Sequence, residues 1–191
     1  MKLINVLSVL LLMTSQIMAQ SFEGVITMNT TNEEMKEKAT VAWYLKGERS
    51  RMDISSSADG HNSEYAIILD SKGMAMVAEG HVTPIASATM KSDMATLELV
   101  SEKEGVTMNG YACKQAVYSD GVNQTTYWLT EGVKISFDDI PAVLKRNMPQ
   151  IPSKGFPVRM EKRNKEGKVV LSQDVVSIVS SKVDDSKFDR N

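Results

Sequence analysis

The sequence predicts a mainly β (α+β) fold, in which an antiparallel sheet of about ten strands is covered by one or two helices. Three observations predict this class. Apolar and polar residues alternate along most of the chain, as in strands with one buried face. Glycine-containing turns separate these stretches at short intervals, which favours consecutive hairpins over crossover connections. Helical signals, by contrast, are few.

The chain begins with a segment typical of a secretory signal peptide. Lys2 supplies a positive charge, an apolar stretch runs from Leu3 to Met13, and Ala19 is a small residue at the expected cleavage point. This stretch is shorter than the roughly 20 apolar residues that span a bilayer. We therefore expect a signal peptide of residues 1–19 and a single mature domain of residues 20–191. We expect that domain to be periplasmic or secreted, with no transmembrane segment and no lipid-anchor cysteine.

The predicted strands follow one another between turn residues. The first covers 22–28, Gly47 divides a hairpin of strands 41–46 and 50–54, and Gly73 divides a second hairpin. The strands of that second hairpin and those that follow are 65–70, 74–79, 111–118 after the strong turn dipeptide Asn109-Gly110, 124–130, 156–160 and 168–180.

Two segments favour helix. The first is a short polar stretch over 32–38, with Asn32 as its cap. The second covers 140–148, where Pro141 suits the first helical turn and acidic residues precede it. As a lid over the sheet, this helix would present an apolar stripe of Ile140, Val143 and Leu144. A curved sheet with a helix in its mouth and a closed barrel with a helical plug both fit these elements.

Composition excludes several classes of function. The 22 basic and 24 acidic side chains give a mildly acidic chain, which argues against nucleic-acid binding. The single cysteine, Cys113, forbids an internal disulfide and is expected to be a buried apolar residue. His61 and His81 have no metal-ligand partners at a diagnostic spacing. With no catalytic motif either, we expect no enzyme, no metal and no cofactor.

Methionine and aromatic residues suggest where a ligand would bind. Methionine adapts to irregular apolar partners, so methionines on strand faces could line a lipid pocket. Packing in an ordinary core is the alternative, and the alternation alone does not separate the two. The predicted lining residues are Trp43, Leu45, Met52, Ile54, Tyr65, Ile67, Leu69, Met74 and Met76.

A basic tract between residues 145 and 168 interrupts the acidic chain. It could attract an anionic partner or membrane surface, or it could be a solvated hairpin tip. Arg159, Lys162 and Arg163 are the predicted partner contacts.

Several motifs resemble a known family when taken in order. They are residues 22–28 (FEGVITM), 44–52 (YLKGERSRM), 110–114 (GYACK), 127–129 (YWL) and 183–188 (VDDSKF). Together they resemble a family of uncharacterised secreted domains of Bacteroidetes, related to the periplasmic lipoprotein carriers of the LolA and LolB type. The resemblance implies a half-barrel: an open, strongly curved sheet closed by helices around a cavity that holds acyl chains in the carriers.

The leading functional hypothesis is a non-enzymatic periplasmic or secreted protein that binds a lipid, an acyl chain or a lipoprotein in an apolar cavity. The alternative is an interaction or scaffold domain of the cell envelope, with a filled core and no ligand. The sequence defines neither the ligand nor the oligomeric state.

Overall fold

The computed structural model describes residues 22–86, 97–135, 139–141 and 154–190. Within them, eleven strands form one open, curved antiparallel sheet, close to the ten expected. The strands are β1 (Glu23–Asn32), β2 (Glu37–Lys46), β3 (Arg49–Ala58), β4 (His61–Asp70), β5 (Gly73–Ala78), β6 (His81–Ile85), β7 (Glu98–Met108), β8 (Tyr111–Ser119), β9 (Gln124–Thr130), β10 (Phe156–Arg163) and β11 (Val169–Ser180).

The order of strands across the sheet is β6-β5-β4-β3-β2-β1-β11-β10-β9-β8-β7. Two meanders, β1–β6 and β7–β11, are therefore joined at one seam, where the first strand pairs with the last. The edges are unlike. At one end, β6 is short and contains Pro84, whereas at the other β7 is long and shifts register twice along β8.

The predicted turns are confirmed. Gly47 and Gly73 have φ values of 56° and 99°, in the region that favours glycine. Asn109 and Gly110 have φ values of 51° and 81°, as expected for the two central residues of a primed hairpin turn.

The helix predicted over 32–38 is wrong. Asn32 does act as a cap, since its Oδ1 accepts hydrogen bonds from the backbone N–H groups of Glu34 and Met35, each at 3.1 Å. The turn ends there because Lys36 has a left-handed φ of 50° and Glu37 already pairs with Asn32 across the hairpin. Pairing between the long flanking strands overrides the local helical signal.

Covering helices are not seen in the part of the chain that the structure describes. Of the segment predicted as a lid helix, 140 and 141 are described, whereas Val143 and Leu144 lie outside the described residues. The described residues also contain no helix with the length and apolar character needed to cross a membrane.

The main core lies on one face of the sheet, which we call the inner face and define by Ile26, Trp43 and Leu45. The first meander contributes these residues, and the second contributes Cys113 and Trp128 to the same apolar cluster. Because residues from both meanders meet, the sheet must curve around the cluster. The burial expected of Cys113 is confirmed: it is 5% exposed, and burial raises the pKa of its thiol.

The opposite, outer face is covered in part by the C-terminal strap, residues 182–190. Asp184 caps a short 3-10 helix, Asp185–Phe188, whose Phe188 is buried. Asp185 forms an ion pair with Lys46 at 2.9 Å and a second with Arg49. Near the strap's end, Arg190 forms an ion pair with Asp70. These contacts fasten the strap to β2, β3 and the end of β4.

Candidate functional site

All nine residues predicted to line a pocket lie on the inner face of β2–β5. The strand register aligns them in three cross-strand rows. The rows are Leu45, Leu69 and Met74; Trp43, Met52, Ile67 and Met76; and Ile54 with Tyr65. Residues on one face of neighbouring strands are in contact range, so the rows form a continuous apolar surface.

Exposure rises across this surface. In the first row Leu45 is 0% exposed, and Leu69 and Met74 are each 8% exposed. Trp43 in the second row is also buried, at 4%. The remaining five residues, Met52, Ile54, Tyr65, Ile67 and Met76, are half-buried. The surface is thus closed at the Leu45 end and partly open at the Tyr65 end.

A buried polar contact fixes the orientation of the indole in this surface. Trp43 Nε1 donates a hydrogen bond to Ser50 Oγ at 2.7 Å, and Ser50 is 2% exposed. Ser50 pairs with both Leu45 and Leu69, so it occupies an apolar row. The alternation of β3 places Ser50 on this face. Because serine is polar, it was not among the predicted lining residues.

Of the predicted lid, Ile140 is described. It is 1% exposed and belongs to the same apolar cluster as Trp43 and Leu45. The neighbouring Asp139 accepts a hydrogen bond from the backbone N–H of Phe22 at 3.0 Å. Residues 139–141 are therefore tied to the beginning of β1 and packed against the inner face.

The predicted partner contacts are divided between the two faces of β10. Arg159 forms ion pairs with Glu161 and Asp174, and its guanidinium lies 5.5 Å from the centre of the Trp128 ring. Arg163 also forms an ion pair with Glu161, at 2.8 Å. Lys162, between these residues in an alternating strand, lies on the opposite face.

Glu161 is the centre of this network. Burial opposes its ionisation, but hydrogen bonds from Arg159 and Arg163 outweigh burial and hold the pKa of the carboxyl below its ordinary value. Two cations and two carboxylates, with Asp174 as the second, balance one another. Both arginine side chains are therefore engaged within the protein.

The tip of the β7–β8 hairpin crosses the inner face. We call residues 106–113 the hairpin tip. Its Asn109 donates from Nδ2 towards the carbonyl oxygens of Val158 and Val175, each at 3.3 Å, and towards Asp174 Oδ1 at 3.4 Å. These acceptors lie on β10 and β11, beyond the adjacent strand β9. Contact over that distance requires the sheet to curl back on itself.

A cavity of about 710 Å³ lies at the base of the hairpin tip. This volume is within the roughly 300–1,000 Å³ of small-molecule sites. Lys114 is 2.7 Å from a carboxylate oxygen of Glu102 and 3.7 Å from one of Glu104, and the bond to Glu102 raises the pKa of the lysine. The lining residues are Leu99, Glu102, Glu104, Gly105, Ala112, Cys113, Lys114, Leu129, Glu131 and Lys154, which do not include the nine predicted ones.

Nothing in the described ranges groups three or more histidine, cysteine or acidic side chains closely enough to hold a metal ion. His61 and His81 begin β4 and β6 and are both exposed.

Comparison with known proteins identifies one family model. It is described as a domain of unknown function (DUF4412), and it matches residues 22–190. None of the curated proteins compared with the sequence matches it.

Solved structures share the fold at low identity. An uncharacterized conserved protein from Thermus thermophilus is 11% identical, with 89% of this chain and 85% of that chain covered and a TM-score of 0.52. A chain of the Pseudomonas aeruginosa MucA/MucB complex is 10% identical, with 90% and 56% covered and a TM-score of 0.50. A putative outer membrane lipoprotein-sorting protein domain from Vibrio parahaemolyticus, 9% identical with 87% and 88% covered, has a TM-score of 0.33, which supports no argument.

Proposed function

The chain belongs to the DUF4412 family, and from this premise we propose that it is a non-enzymatic protein that binds a lipid, an acyl chain or a lipidated partner. The proposed binding surface is the set of three apolar rows on the inner face of β2–β5. The observation that carries the proposal is their graded exposure, from buried Leu45 to half-buried Tyr65. With such a gradient, an acyl chain can pack on the half-buried rows, and the buried residues of the cluster stay covered.

The chemistry of the surface suits a chain of methylene groups. Burial of each methylene contributes about 0.8 kcal/mol, with no directional contact required. Met52 and Met76 are neighbours of Ile67 in the second row, and their flexible side chains can adapt to chains of different length. We therefore expect selectivity for an apolar chain rather than for one headgroup.

The compartment belongs to the same proposal. A signal peptide over residues 1–19 would direct the domain to the periplasm or the exterior, where lipids and lipidated proteins must cross water between membranes. Ile140, packed on the inner cluster, is the described part of the proposed lid.

A scaffold domain without ligand is the second candidate. It is favoured by the nearly complete burial of Leu45 and Trp43, which is the packing of an ordinary core. The similar fold found in the MucA/MucB complex is also compatible with a role in binding another protein.

Native mass spectrometry of protein purified without detergent separates the two candidates. A stoichiometric co-purified lipid or acylated peptide is the expected result. A clean apo mass, with no uptake of added phospholipid or lipopeptide, would move the assignment to the scaffold.

Two substitutions locate the binding surface. We expect Met76→Asp, alone or with Trp43→Asp, to abolish saturable binding of the apolar fluorescent dye N-phenyl-1-naphthylamine. Val77→Asp is the matched control, because Val77 is also half-buried but lies on the opposite face of β5. Equal dye binding by folded Met76→Asp and Val77→Asp would exclude this surface.

A further inference from the structure

The hairpin tip leaves the sheet at two defined points. The last pair between β8 and β9 joins Lys114 to Leu129, so residues 111–113 continue past that ladder. On the other strand, the pairing of β7 with β8 is interrupted between Lys103 and Val106, where Gly105 has a φ of 73°. Beyond these points, the tip is paired mainly within itself.

The end of the tip is held across the inner face by one side chain. An amide nitrogen has two hydrogens, whereas Asn109 Nδ2 faces three acceptors at 3.3–3.4 Å, just beyond the usual hydrogen-bond range. A second tie lies near the base, where Thr130 Oγ1 donates to the carbonyl of Ala112 at 2.9 Å. The hydrogen bonds that hold the end of the tip are thus long and shared by a single amide group.

The tip also covers apolar surface. Val106, Met108 and Tyr111 are partly buried against the cluster that contains Trp43 and Leu45. The cavity of about 710 Å³ lies at the hinge end of the tip, on the face of Ala112, Lys114 and Leu129, which is opposite the face of Trp128 and the inner cluster. Lifting the tip would therefore expose the inner cluster beneath Val106, Met108 and Tyr111.

We propose that the hairpin tip is a flap over the inner face, with hinges at Gly105 and Lys114 and a catch at Asn109, and that an acyl chain reaches the inner cluster when this flap opens. The part concerning the acyl chain rests on the proposed lipid-binding function. The flap itself stands on geometry alone.

The catch can be removed without changing the turn. Asn109→Asp keeps a side chain that tolerates a left-handed φ, but it places a carboxylate against Asp174 and two carbonyl oxygens. Asn109→Gly tolerates the same φ and removes the donor without adding charge. Asp59→Asn is the matched control, because Asp59 and Gly60 have φ values of 48° and 82° in an equivalent turn.

Hydrogen exchange of the ligand-free protein tests the flap. We expect the amides of residues 106–113 to exchange about tenfold faster in Asn109→Asp. The hydrogen bonds from Asn109 Nδ2 are lost, and the loss of each should raise the equilibrium constant for local opening by about a few-fold. Asn109→Gly should show a smaller increase, and Asp59→Asn none. Unchanged exchange in both Asn109 variants, or a rise spread evenly over the sheet, would overturn the flap.

Stopped-flow uptake of N-phenyl-1-naphthylamine tests whether an apolar molecule passes beneath the flap. The rate of dye uptake should rise in both Asn109 variants, in proportion to the rise in the hydrogen-exchange rate of residues 106–113. If exchange rises while the uptake rate stays constant, the flap exists but does not control access. If the wild-type protein and the variants bind no dye while exchange still rises, the lipid-binding function fails and the flap remains.

Discussion

Ser50 illustrates how a polar residue can belong to an apolar surface. Its hydroxyl accepts the hydrogen bond of the Trp43 indole, so the ring is held in one orientation within the inner cluster. Burial of an indole N–H without an acceptor would carry a desolvation penalty. The serine therefore determines how the largest side chain of the surface is presented.

Ser50→Ala should destabilise the fold by about 1–3 kcal/mol, because it leaves the buried Trp43 N–H without its acceptor. Urea unfolding followed by circular dichroism measures this cost. Ser57→Ala, at an exposed position of the same strand, is the control and should change stability by less than about 0.5 kcal/mol. Equal stability of the two variants would show that the hydrogen bond contributes nothing.

Alternation predicted the faces of individual residues well, and the reason is local. Side chains in a strand point to opposite faces in turn, so Trp43, Leu45 and Met52 were placed together from their spacing alone. The pairing of Arg159 with Asp174 and the cross-sheet bonds of Asn109 left no such pattern. They depend on strands that are distant in sequence, and no short-range rule identifies their partners.

The C-terminal strap is the element whose attachment can be measured most directly. Phe188 is 5% exposed, and the Arg49 guanidinium lies 4.7 Å from the centre of its ring. The side chain therefore combines apolar burial with a cation–π contact. It joins the end of the chain to the first meander, far from the strap in sequence.

Phe188→Ala should lower the free energy of unfolding by about 3 kcal/mol, the lower end of the cost of truncating a buried phenylalanine. The urea midpoint reports the change. Lys182→Ala, at an exposed strap position, should leave the midpoint near that of the wild type. A midpoint unchanged by Phe188→Ala would mean that the strap contributes no stability.

Acid should weaken the same attachment. Hydrogen bonds from Lys46 and Arg49 lower the pKa of Asp185 to about 2. Because the pKa of an aspartate in the unfolded chain is about 3.9, ionised Asp185 stabilises the folded state above about pH 4. That stabilisation is lost as the pH falls from about 4 towards about 2.

Asp185→Asn provides the measurement of this effect. The urea midpoint of the wild type should exceed that of the variant at about pH 6, and the difference should shrink below about pH 4. Glu166→Gln, which removes an exposed carboxylate, is the control. A difference that stays constant across this acid range would contradict the assignment.

Elements were predictable where turn chemistry and strand pattern agreed. Asn109-Gly110 and Gly47 ended hairpins as expected, whereas Asn32 capped a single turn rather than a helix. The resemblance to a family of uncharacterised domains is confirmed by the family match, which extends over residues 22–190. That resemblance included the Val183–Phe188 motif, but its attachment to β2, β3 and β4 was not predicted.

At the scale of the whole molecule, the seam between β1 and β11 holds the two meanders together. Gly24 lies at this seam, paired with Ser180 on one side and Leu45 on the other. A Cβ there would collide with the backbone carbonyl of Val179 and come within 2.7 Å of the Phe22 ring. Because the Val179 carbonyl belongs to the backbone of β11, it cannot move away from the added Cβ unless the strand itself shifts.

Gly24→Ala should therefore destabilise the protein by about 1–3 kcal/mol, as overpacking does. Thermal unfolding should show the loss. Gly132→Ala is the control, because the added Cβ would meet just the Thr130 hydroxyl, at 3.3 Å. If Gly24→Ala and the control unfold at the same temperature, the seam accommodates a methyl group and the strands are packed less tightly there than the structure indicates.

The seam and the curvature of the sheet could not be predicted from the sequence. Hairpins close over a few residues, whereas β1 meets β11 across almost the whole chain, and no local pattern encodes that encounter. The open and closed forms of the sheet fitted the turn spacing equally well. The pairing order separates them, because β6 and β7 are the edge strands of the sheet in the described part of the chain.

Those two edges bear on how copies of the protein behave when crowded together. An open sheet presents unpaired backbone groups, which can recruit strands from other molecules and begin aggregation. Pro84 removes a donor from the outermost strand at one end. At the other, register shifts and the charged residues Glu102, Lys103 and Glu104 disturb the straight ladder that a new strand needs. The sheet can thus stay open at both edges while offering a poor template for the growth of a fibre.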